Sequence, residues 1–558
     1  MSTHFHQDRL DVRRALISIA AVLLCVMGAG GVLDLAIRVG PSLLRVEGAA
    51  GDRMMAVPDM TRALGVVLSM LVSLTAIAVP LTANVYTPKL IELFVADRFN
   101  RVVFAYFVLA NAFMIWNVFV LSNELDPEHA RMRATACLTL TLIGLVMIVP
   151  YVLHVLRFLI PRTIVEGLEA EVMQQLAQAC RIPKDSPRMG ELRAQVLDDI
   201  QYMGKIALRS LDRYDRDTVL EALRALDDLF QHYQAKKQFL PGTWFRPTQG
   251  EIQSLGPELM REAHRLRATV EVAILLEHSL VLPLAVGRLP EVVASIASSA
   301  RKFGVQATET KDKGVQEQVT LFFNTFLRAA LQRRHSDSFY KFVYQYRRFA
   351  EEILERDPAH ALRITFFLDY YGHQAVRSQM GYLINVVAYD LAELCMVAWE
   401  KGVTCRQELL RAVLHLDRDE VALMQLPGVV KAQLILAAKL LTRGEAAAAG
   451  EIEAELRKVP QEKLDEAFAQ VVAATEENFW EIADRRRHLD HVEPQFRPAF
   501  ERLRERLLGK RLLGARTRAF LRVEDPDLVD EAQPQAPPPE SPSTEAPPLP
   551  DRRPDAGL

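Results

Sequence analysis

The chain has 558 residues, half of them hydrophobic, and a formal net charge of −3. This length exceeds that of one simple domain, and the nearly balanced charge argues against a nucleic-acid-binding protein, which would be strongly basic. The five cysteines include no CxxC pair, so the sequence favours neither a disulfide framework nor a thiolate metal site.

Four predominantly apolar runs lie in residues 1–162, at about 15–37, 63–88, 102–123 and 134–157. A helix that crosses the hydrocarbon core of a bilayer needs about 20 apolar residues. A buried helix of a soluble protein usually keeps one polar face, so these runs predict a transmembrane domain rather than a large buried core. The first run follows two arginines, which leaves a cleaved signal peptide as the alternative to an uncleaved signal anchor.

A short charged segment, Lys89–Arg101, connects the second and third runs. Thr87 is placed to cap a helix, and apolar residues then recur at helical spacing. We therefore predict an amphipathic helix that lies on the membrane surface, with Lys89, Arg98 and Arg101 near the lipid headgroups. A plain charged turn is the alternative.

Basic residues are slightly more frequent in the segments that would lie on the same side as the N-terminus. Cytoplasmic loops carry an excess of Lys and Arg. The bias therefore predicts a multi-pass membrane protein with both termini in the cytoplasm.

Two stretches resemble a known family. The sequence ANVYTPKLIELFVADRFNRVVFAYFV, at 83–108, resembles a segment of the bacterial predicted-membrane-protein family called domain of unknown function 2254. In that family a span ends in a Ser-Gln-Phe-Ser-Pro-Arg-like string, before a short basic loop and the next span. Ile206–Leu229 is similar to the family's first soluble helices, although it lacks their Ser-Pro and Asn-Asp-Pro elements. The resemblance implies a membrane protein, and it brings no activity and no functional residue with it.

From residue 163 to residue 523 apolar residues recur three and four positions apart, and strand-like alternation is scarce. The whole chain is thus predicted to be all-α, with a cytoplasmic α-helical bundle or irregular helical solenoid over 163–523. Val429–Pro460 predicts a helix–turn–helix pair with its turn at Arg443-Gly444. Charged residues interrupt the apolar run Ala268–Val286, which favours a buried helix over a fifth span.

Short polar residues precede three of these predicted helices. Such side chains accept hydrogen bonds from the free N–H groups of a helix N-terminus. The predicted N-caps are Asp217, Ser336 or Asp337, and Asp419.

No motif in the sequence specifies a reaction. His488 and His491 are spaced for one face of a helix, but no third ligand is specified and neighbouring arginines would repel a cation. We therefore favour a solvated polar face over a metal site. The aromatic cluster at 339–346 favours core packing over a ligand box. We expect no catalytic, cofactor-binding or metal-binding residue and no enzymatic activity.

The segment 485–522 is rich in Arg and Lys, and its apolar residues around position 503 fall on one side of a helix. Such a basic amphipathic helix is suited to the anionic inner leaflet, but packing against its own domain with a solvated basic face is the favoured interpretation. If the helix lies on the membrane, its surface residues are Arg504, Arg506, Lys510 and Arg511. The remaining residues, 524–558, are acidic and Pro-rich, which predicts a disordered tail.

Two functions fit this organisation. The first is a membrane-anchored helical scaffold or sensor that binds protein partners at the cytoplasmic face. The alternative is an oligomeric channel or transport subunit gated by its cytoplasmic helical domain. The predicted partners are the lipid bilayer, unidentified proteins and further copies of the chain, and not nucleic acid.

Overall fold

The structure is a computed structural model that describes residues 50–121, 127–183, 186, 188–246, 257–416, 427–476 and 488–509. Within these ranges the elements are helical and include no strand, which confirms the all-α prediction. The first predicted span (15–37) and the Pro-rich tail (524–558) lie outside the described residues.

The first described helices are α1 (Ala50–Val85), α2 (Lys89–Ala96), α3 (Arg98–Leu121) and α4 (Pro127–Phe158). Three of them are long and apolar enough to cross a membrane, over Ala56–Val85, Arg98–Val120 and Met132–Phe158. These stretches correspond to the second, third and fourth predicted spans. Only 22–28% of each stretch is buried, as expected for helices that expose apolar side chains to lipid.

Helix α1 begins well before the predicted start of its span at residue 63. Asp59 and Arg62 lie within the helix, where Arg62 Nη1 is 3.3 Å from Asp59 Oδ1 in an exposed ion pair. Opposite charges three residues apart are compatible with a helix. Asp59 and Arg62 therefore set the start of the predicted apolar run, but the helix continues through them.

The three spans pack against one another through a cluster of buried side chains. Phe107 and Met114 of α3 are fully buried in this cluster. At Gly144 of α4, an added Cβ would lie 2.6 Å from Leu64 Cδ1 of α1. The close approach of α1 and α4 therefore depends on this glycine. Small residues commonly allow the backbones of membrane helices to approach each other closely.

A helical domain follows the last span without a break in the described chain. Its helices are α5 (Pro161–Ala179), α6 (Arg188–Asp212), α7 (Arg216–Lys236), α8 (Pro257–Arg265), α9 (Thr269–Ala285), α10 (Pro290–Glu309), α11 (Lys313–Gln332), α12 (Ser336–Ile353), α13 (Pro358–Arg377), α14 (Leu383–Glu400), α15 (Arg406–His415), α16 (Pro427–Thr442), α17 (Ala446–Leu456), α18 (Gln461–Ala473) and α19 (Arg497–Leu508). Short 3-10 turns occur at Lys237–Phe239, Gly242–Phe245 and Pro494–Phe496.

From α6 onward most helices alternate between two layers. One layer consists of α7, α10, α12, α14, α16 and α19, and the other of α6, α9, α11, α13, α15 and α17. Ion pairs 43–47 residues apart link the ends of successive helices of the first layer: Arg356 with Glu309, Lys401 with Glu355, and Arg443 with Glu400. Contacts at one recurring spacing are typical of helical repeats of this length.

Seven turns between these helices share one backbone geometry. In each turn one residue has a positive φ, and the next N–H donates to the carbonyl five residues back, as Asp215 N does to Ser210 O at 2.9 Å. This is the Schellman ending of a helix, which usually contains Gly. The positive-φ residues are Tyr214, Arg267, Lys311, Arg334, Gln379, Gly402 and Gly444.

The same turn geometry shifts two of the predicted N-caps. Asp215, not Asp217, caps α7, and its side chain accepts from Thr218 N at 3.2 Å. His335, rather than either of the two residues after it, caps α12 and accepts from Ser338 N at 3.2 Å. In both cases the cap directly follows the positive-φ residue, because that is the first residue outside the new helix. The third predicted cap, Asp419, lies outside the described residues.

Two further predictions about this domain are confirmed. The run Ala268–Val286 forms α9, whose side chains are buried on most sides, including those of Glu271 and Glu277. The pair α16 and α17 forms a helix–turn–helix with Gly444 at φ 83° in the turn.

We expect Tyr214→Gly to stabilise the protein. Tyr214 has φ 60° and a side chain that is 63% exposed, so the substitution removes backbone strain without emptying a core. The expected gain in the free energy of unfolding is about 0.5–1 kcal/mol, since strain of about 1–2 kcal/mol is partly offset by the greater chain entropy of Gly. Urea unfolding of the full chain in detergent measures the change.

Gly444→Ala is the matched control for this prediction. Gly444 has φ 83° and open space around the position of an added Cβ, so only the backbone conformation opposes alanine there. Its free energy of unfolding should fall by about 1 kcal/mol. A loss of stability in Tyr214→Gly would contradict the strain argument.

Candidate functional site

The short helix α2, which connects spans α1 and α3, is built into the helical domain. A helix is confirmed over Lys89–Ala96, with Pro88 as its N-cap, while Thr87 Oγ1 accepts from Lys89 N at 3.4 Å. Leu90 is fully buried and belongs to the core of the helical domain, whereas Phe94 belongs to the core of the spans. One helix of eight residues therefore joins the two cores.

Lys89 lies in a group of carboxylates instead of near the lipid headgroups. Its Nζ is 3.0 Å from Glu92 Oε2, 3.8 Å from Glu171 Oε1 of α5 and 3.7 Å from Asp199 Oδ1 of α6. Burial alone would lower the pKa of Lys89, but the hydrogen bond with Glu92 and the charges of Asp199 and Glu171 raise it above its usual value. The prediction of a lipid-facing Lys89 is therefore wrong, because the helical domain covers this side of α2.

Asp199 is the deepest member of this group, with no exposed surface. Its Oδ2 accepts from Gln175 Nε2 at 2.9 Å, while its Oδ1 has no hydrogen-bond partner. Burial raises the pKa of Asp199 to about 6, against the opposing effects of the Gln175 hydrogen bond and the Lys89 charge. Its carboxyl group thus titrates close to neutral pH.

The helical domain also contacts the C-terminal end of the first described span. Arg209 Nη1 of α6 donates to Asn84 O at 2.6 Å and to Val85 O at 3.1 Å. The guanidinium of Arg213 lies 5.5 Å from the centre of the Tyr86 ring. The last carbonyls of a helix have no partner within it, and a cation there also favours the helix dipole. The end of α1 is therefore completed by α6.

The other end of α2 is fixed to the spans. Asp97 Oδ1 accepts from Asn100 N at 2.8 Å at the start of α3 and lies 3.1 Å from His154 Nε2 of α4. Asn100 Nδ2 donates to Phe94 O at 3.0 Å. We call the contacts of α2 with α5 and α6, together with the Arg209 contacts, the junction.

The remaining predicted membrane-surface residues of the first segment and of the C-terminal segment differ in where they lie. Arg98 and Arg101 are exposed in the first turn of α3 and stay predicted membrane-surface residues. Lys510 and Arg511 lie outside the described residues.

Helix α19 packs on its own domain. Arg504 is only 5% exposed, and its Nη2 lies 3.3 Å from Asp465 Oδ1 of α18. Arg506 Nη1 lies 2.9 Å from Glu453 Oε1 of α17. The apolar side of the helix and Arg504 therefore face protein, as the favoured interpretation of this segment expects.

A charged pocket of about 290 Å³ lies between α12, α14, α16 and the segment that begins at His488. Arg347 of α12 is 2.7 Å from Glu351 and 3.3 Å from Asp390 of α14. Lys439 of α16 is 3.5 Å from Glu393 of α14. The lining thus combines charges of both signs that are already paired.

The two histidines considered as metal ligands, His488 and His491, line this same pocket. Within the described residues no group of three or more His, Cys, Asp or Glu side chains is placed to hold a metal ion. The segment carrying them is fixed by Asp490, which lies 2.7 Å from Lys431 Nζ and accepts from Tyr389.

The residues that make the junction were not singled out in the sequence, apart from Lys89. One local signal for Asp199 does exist. It follows Val196 and precedes Met203 at helical spacing, on the buried face of α6. A carboxylate on an apolar helix face is uncommon unless it has a partner. No comparable signal identifies Arg209, which is exposed.

Comparison with known proteins gives one match. Residues 7–238 match the family model described as Predicted membrane protein (DUF2254), which confirms the resemblance seen in the sequence. No curated protein and no solved structure matches the chain. The matched residues end just after α7, so they contain the described spans and both sides of the junction.

Leu90→Ala should weaken the junction. The side chain is fully buried where α2 meets the helical domain, and removing a buried leucine costs about 2–5 kcal/mol. We expect amide hydrogen exchange in α2 to become faster in the full chain reconstituted in lipid nanodiscs.

Ile91→Ala is the matched control, because Ile91 is the next residue and is 43% exposed. Its effect should stay within about 0.5 kcal/mol, as is usual for surface positions. Equal changes in the two variants would contradict the docking of α2 through Leu90.

Proposed function

We propose that this chain, whose residues 7–238 belong to the predicted membrane proteins of the DUF2254 family, is a membrane-anchored helical platform. The two layers of helices from α6 onward, here called the array, bind protein partners. The junction transmits the displacement caused by binding to the spans. The platform acts as a scaffold or sensor at the cytoplasmic face of the bacterial inner membrane.

The observation that supports this proposal most directly is the position of α2. Its two ends continue into spans through a few residues, while Leu90 is part of the core of the helical domain. Protein interiors are close-packed and transmit displacement. A shift of α5 or α6 therefore displaces the ends of α1 and α3, as a sensor requires.

The array offers an extended surface for partners, because each repeat contacts mainly its neighbours. The pocket between α12, α14 and α16 is a charged feature of that surface. Arg348 lines it and is 39% exposed while its Nη1 lies 3.1 Å from Glu351 Oε1. A partner would exchange these internal ion pairs for its own, which favours specificity over raw affinity.

A channel or transport subunit is the second candidate, and one observation favours it. Arg133 of α4 is 4% exposed, and its Nη1 lies 3.4 Å from Asn117 Oδ1 of α3. Ionisable residues buried among membrane helices commonly serve transport. In that case further copies of the chain would complete a pore and the array would gate it.

A reporter pair tests the proposed topology. The end of α1 and α5–α6 meet at the junction, while α3 ends and α4 begins at the opposite end of the spans. Alkaline phosphatase should be inactive when fused at the C-terminus and active when inserted between α3 and α4. The reverse result would place the array on the outer side and contradict the proposed location.

Arg348→Glu should remove bound proteins that co-purify with the full chain in mild detergent after crosslinking in native membranes. The substitution reverses one charge in the pocket, so partners held there should be reduced at least tenfold in quantitative mass spectrometry. Arg363→Glu is the control, since Arg363 also forms an exposed ion pair, 3.5 Å from Glu317, but on α13 in the other layer.

An identical set of bound proteins in wild type and both variants would contradict partner binding at the pocket.

An ion-flux measurement on the purified chain in liposomes separates the two candidate functions. Reproducible ion flux above that of protein-free vesicles would support the channel and contradict a platform without transport.

A further inference from the structure

The carboxyl group of Asp199 has few hydrogen-bond donors around it. It receives one hydrogen bond, from Gln175 Nε2 at 2.9 Å, and its nearest cation is Lys89 Nζ at 3.7 Å. The second oxygen, Oδ1, is buried without a hydrogen bond. An ionised carboxylate offers about four acceptor positions, and leaving them empty away from water is costly.

Gln175 shows a complementary deficiency. Its Oε1 is buried and accepts no hydrogen bond. The oxygen and nitrogen of an amide are placed from the hydrogen-bond network, and rotation of this amide would bring Oε1 next to Asp199 Oδ2. A proton on that carboxyl oxygen would then be donated to Gln175 Oε1, so the neutral acid keeps one hydrogen bond with Gln175 and no longer holds an unsatisfied negative charge away from water.

The charges around Asp199 favour this proton as well. Glu171 of α5 and Asp198 of α6 both act to raise the pKa of Asp199, while Lys89 of α2 acts to lower it. On α9, Glu277 packs against Gly204, more than one turn further along α6, and Glu271 pairs with Lys237.

Lys89 does not depend on the charge of Asp199. Its Nζ is closer to Glu92, at 3.0 Å, and also has Glu171 at 3.8 Å. When Asp199 is neutral, the ammonium therefore keeps two carboxylates, and Leu90 stays buried against α5 and α6.

We propose that Asp199 is a proton-binding site and that its protonation tightens the docking of α2 on α5 and α6. The junction is then a pH-sensitive clasp that is closed more firmly as the pH on the side of the helical domain falls. This regulation rests on the proposed function only in that the junction connects the array with the spans.

The direction follows from proton linkage. The pKa of Asp199 is about 6 when it is docked, against 3.8 for the ordinary side chain. Between these values the docked state holds the proton and the undocked, hydrated state does not, so docking strengthens as the pH falls. Above pH 6 both states are ionised and this extra stabilisation is lost. Between pH 7.5 and pH 5.0 the docking constant should rise about tenfold.

Hydrogen exchange in α2 of the full chain in nanodiscs measures this effect, after correction for the intrinsic pH dependence of exchange. Wild type should show about tenfold more protection at pH 5.0 than at pH 7.5. Asp199→Asn, which imitates the neutral acid, should be protected equally at both values. Asp212→Asn is the control, because Asp212 is an exposed aspartate of the same helix, and it should keep the wild-type response.

Infrared difference spectra of the same proteins provide a second measurement, which detects the protonated carboxyl group directly. Wild type should show a protonated-carboxyl band that titrates with a midpoint near 6 and is missing in Asp199→Asn.

Three results would overturn the proposal: a wild type without pH-dependent protection, an Asp199→Asn variant that keeps the pH dependence, or one that loses protection at both pH values. None of these measurements involves a partner protein. The clasp can therefore fail while partner binding stands, and the reverse also holds.

Discussion

The docking of a span connector into the core of the helical domain is the constraint on which the rest of this structure depends. A connector between two spans cannot leave the membrane surface, so Leu90 and Lys89 hold α5 and α6 there. Arg209 supplies donors for the last carbonyls of α1, 125 and 124 residues away along the chain. In a bilayer the backbone groups at a helix end must find partners. The helical domain is therefore part of what completes a span.

The residues that match the family model contain the whole junction. Residues 7–238 include the described spans and the helices α5 and α6, which are the elements that make it. The helices beyond α7 are attached through contacts of α9 with α6 and of α10 with α7. Because the stability of a repeat array is approximately a sum of local terms, the junction does not depend on contacts with the distant helices.

The elements were predictable from sequence because hydrophobic periodicity and span length are local properties. The partners of those elements were not. An amphipathic helix has the same pattern whether its apolar side meets lipid or protein, so α2 was assigned to the membrane surface and the membrane stayed an alternative for α19. Lys89 and Arg504 instead meet carboxylates of distant helices. The N-caps of α7 and α12 were predicted at the wrong residues because Tyr214 and Arg334, which have positive φ, do not indicate a left-handed turn in the sequence as Gly does.

Holding α2 in place with a buried carboxylate costs desolvation free energy. A leucine at position 199 would add apolar contact without leaving a polar atom unsatisfied, and well-packed apolar residues often replace buried charges without loss of stability. An apolar contact, however, has the same strength at every pH. A carboxyl group whose pKa moves from 3.8 to about 6 on docking changes the docking energy by at most about 3 kcal/mol, since each unit corresponds to about 1.4 kcal/mol. Between pH 7.5 and pH 5.0 the tenfold change corresponds to about 1.4 kcal/mol, which is smaller than the about 2–5 kcal/mol that burial of Leu90 supplies. The apolar contact therefore keeps α2 docked, and Asp199 adjusts how tightly, so that the junction can respond to pH without coming apart.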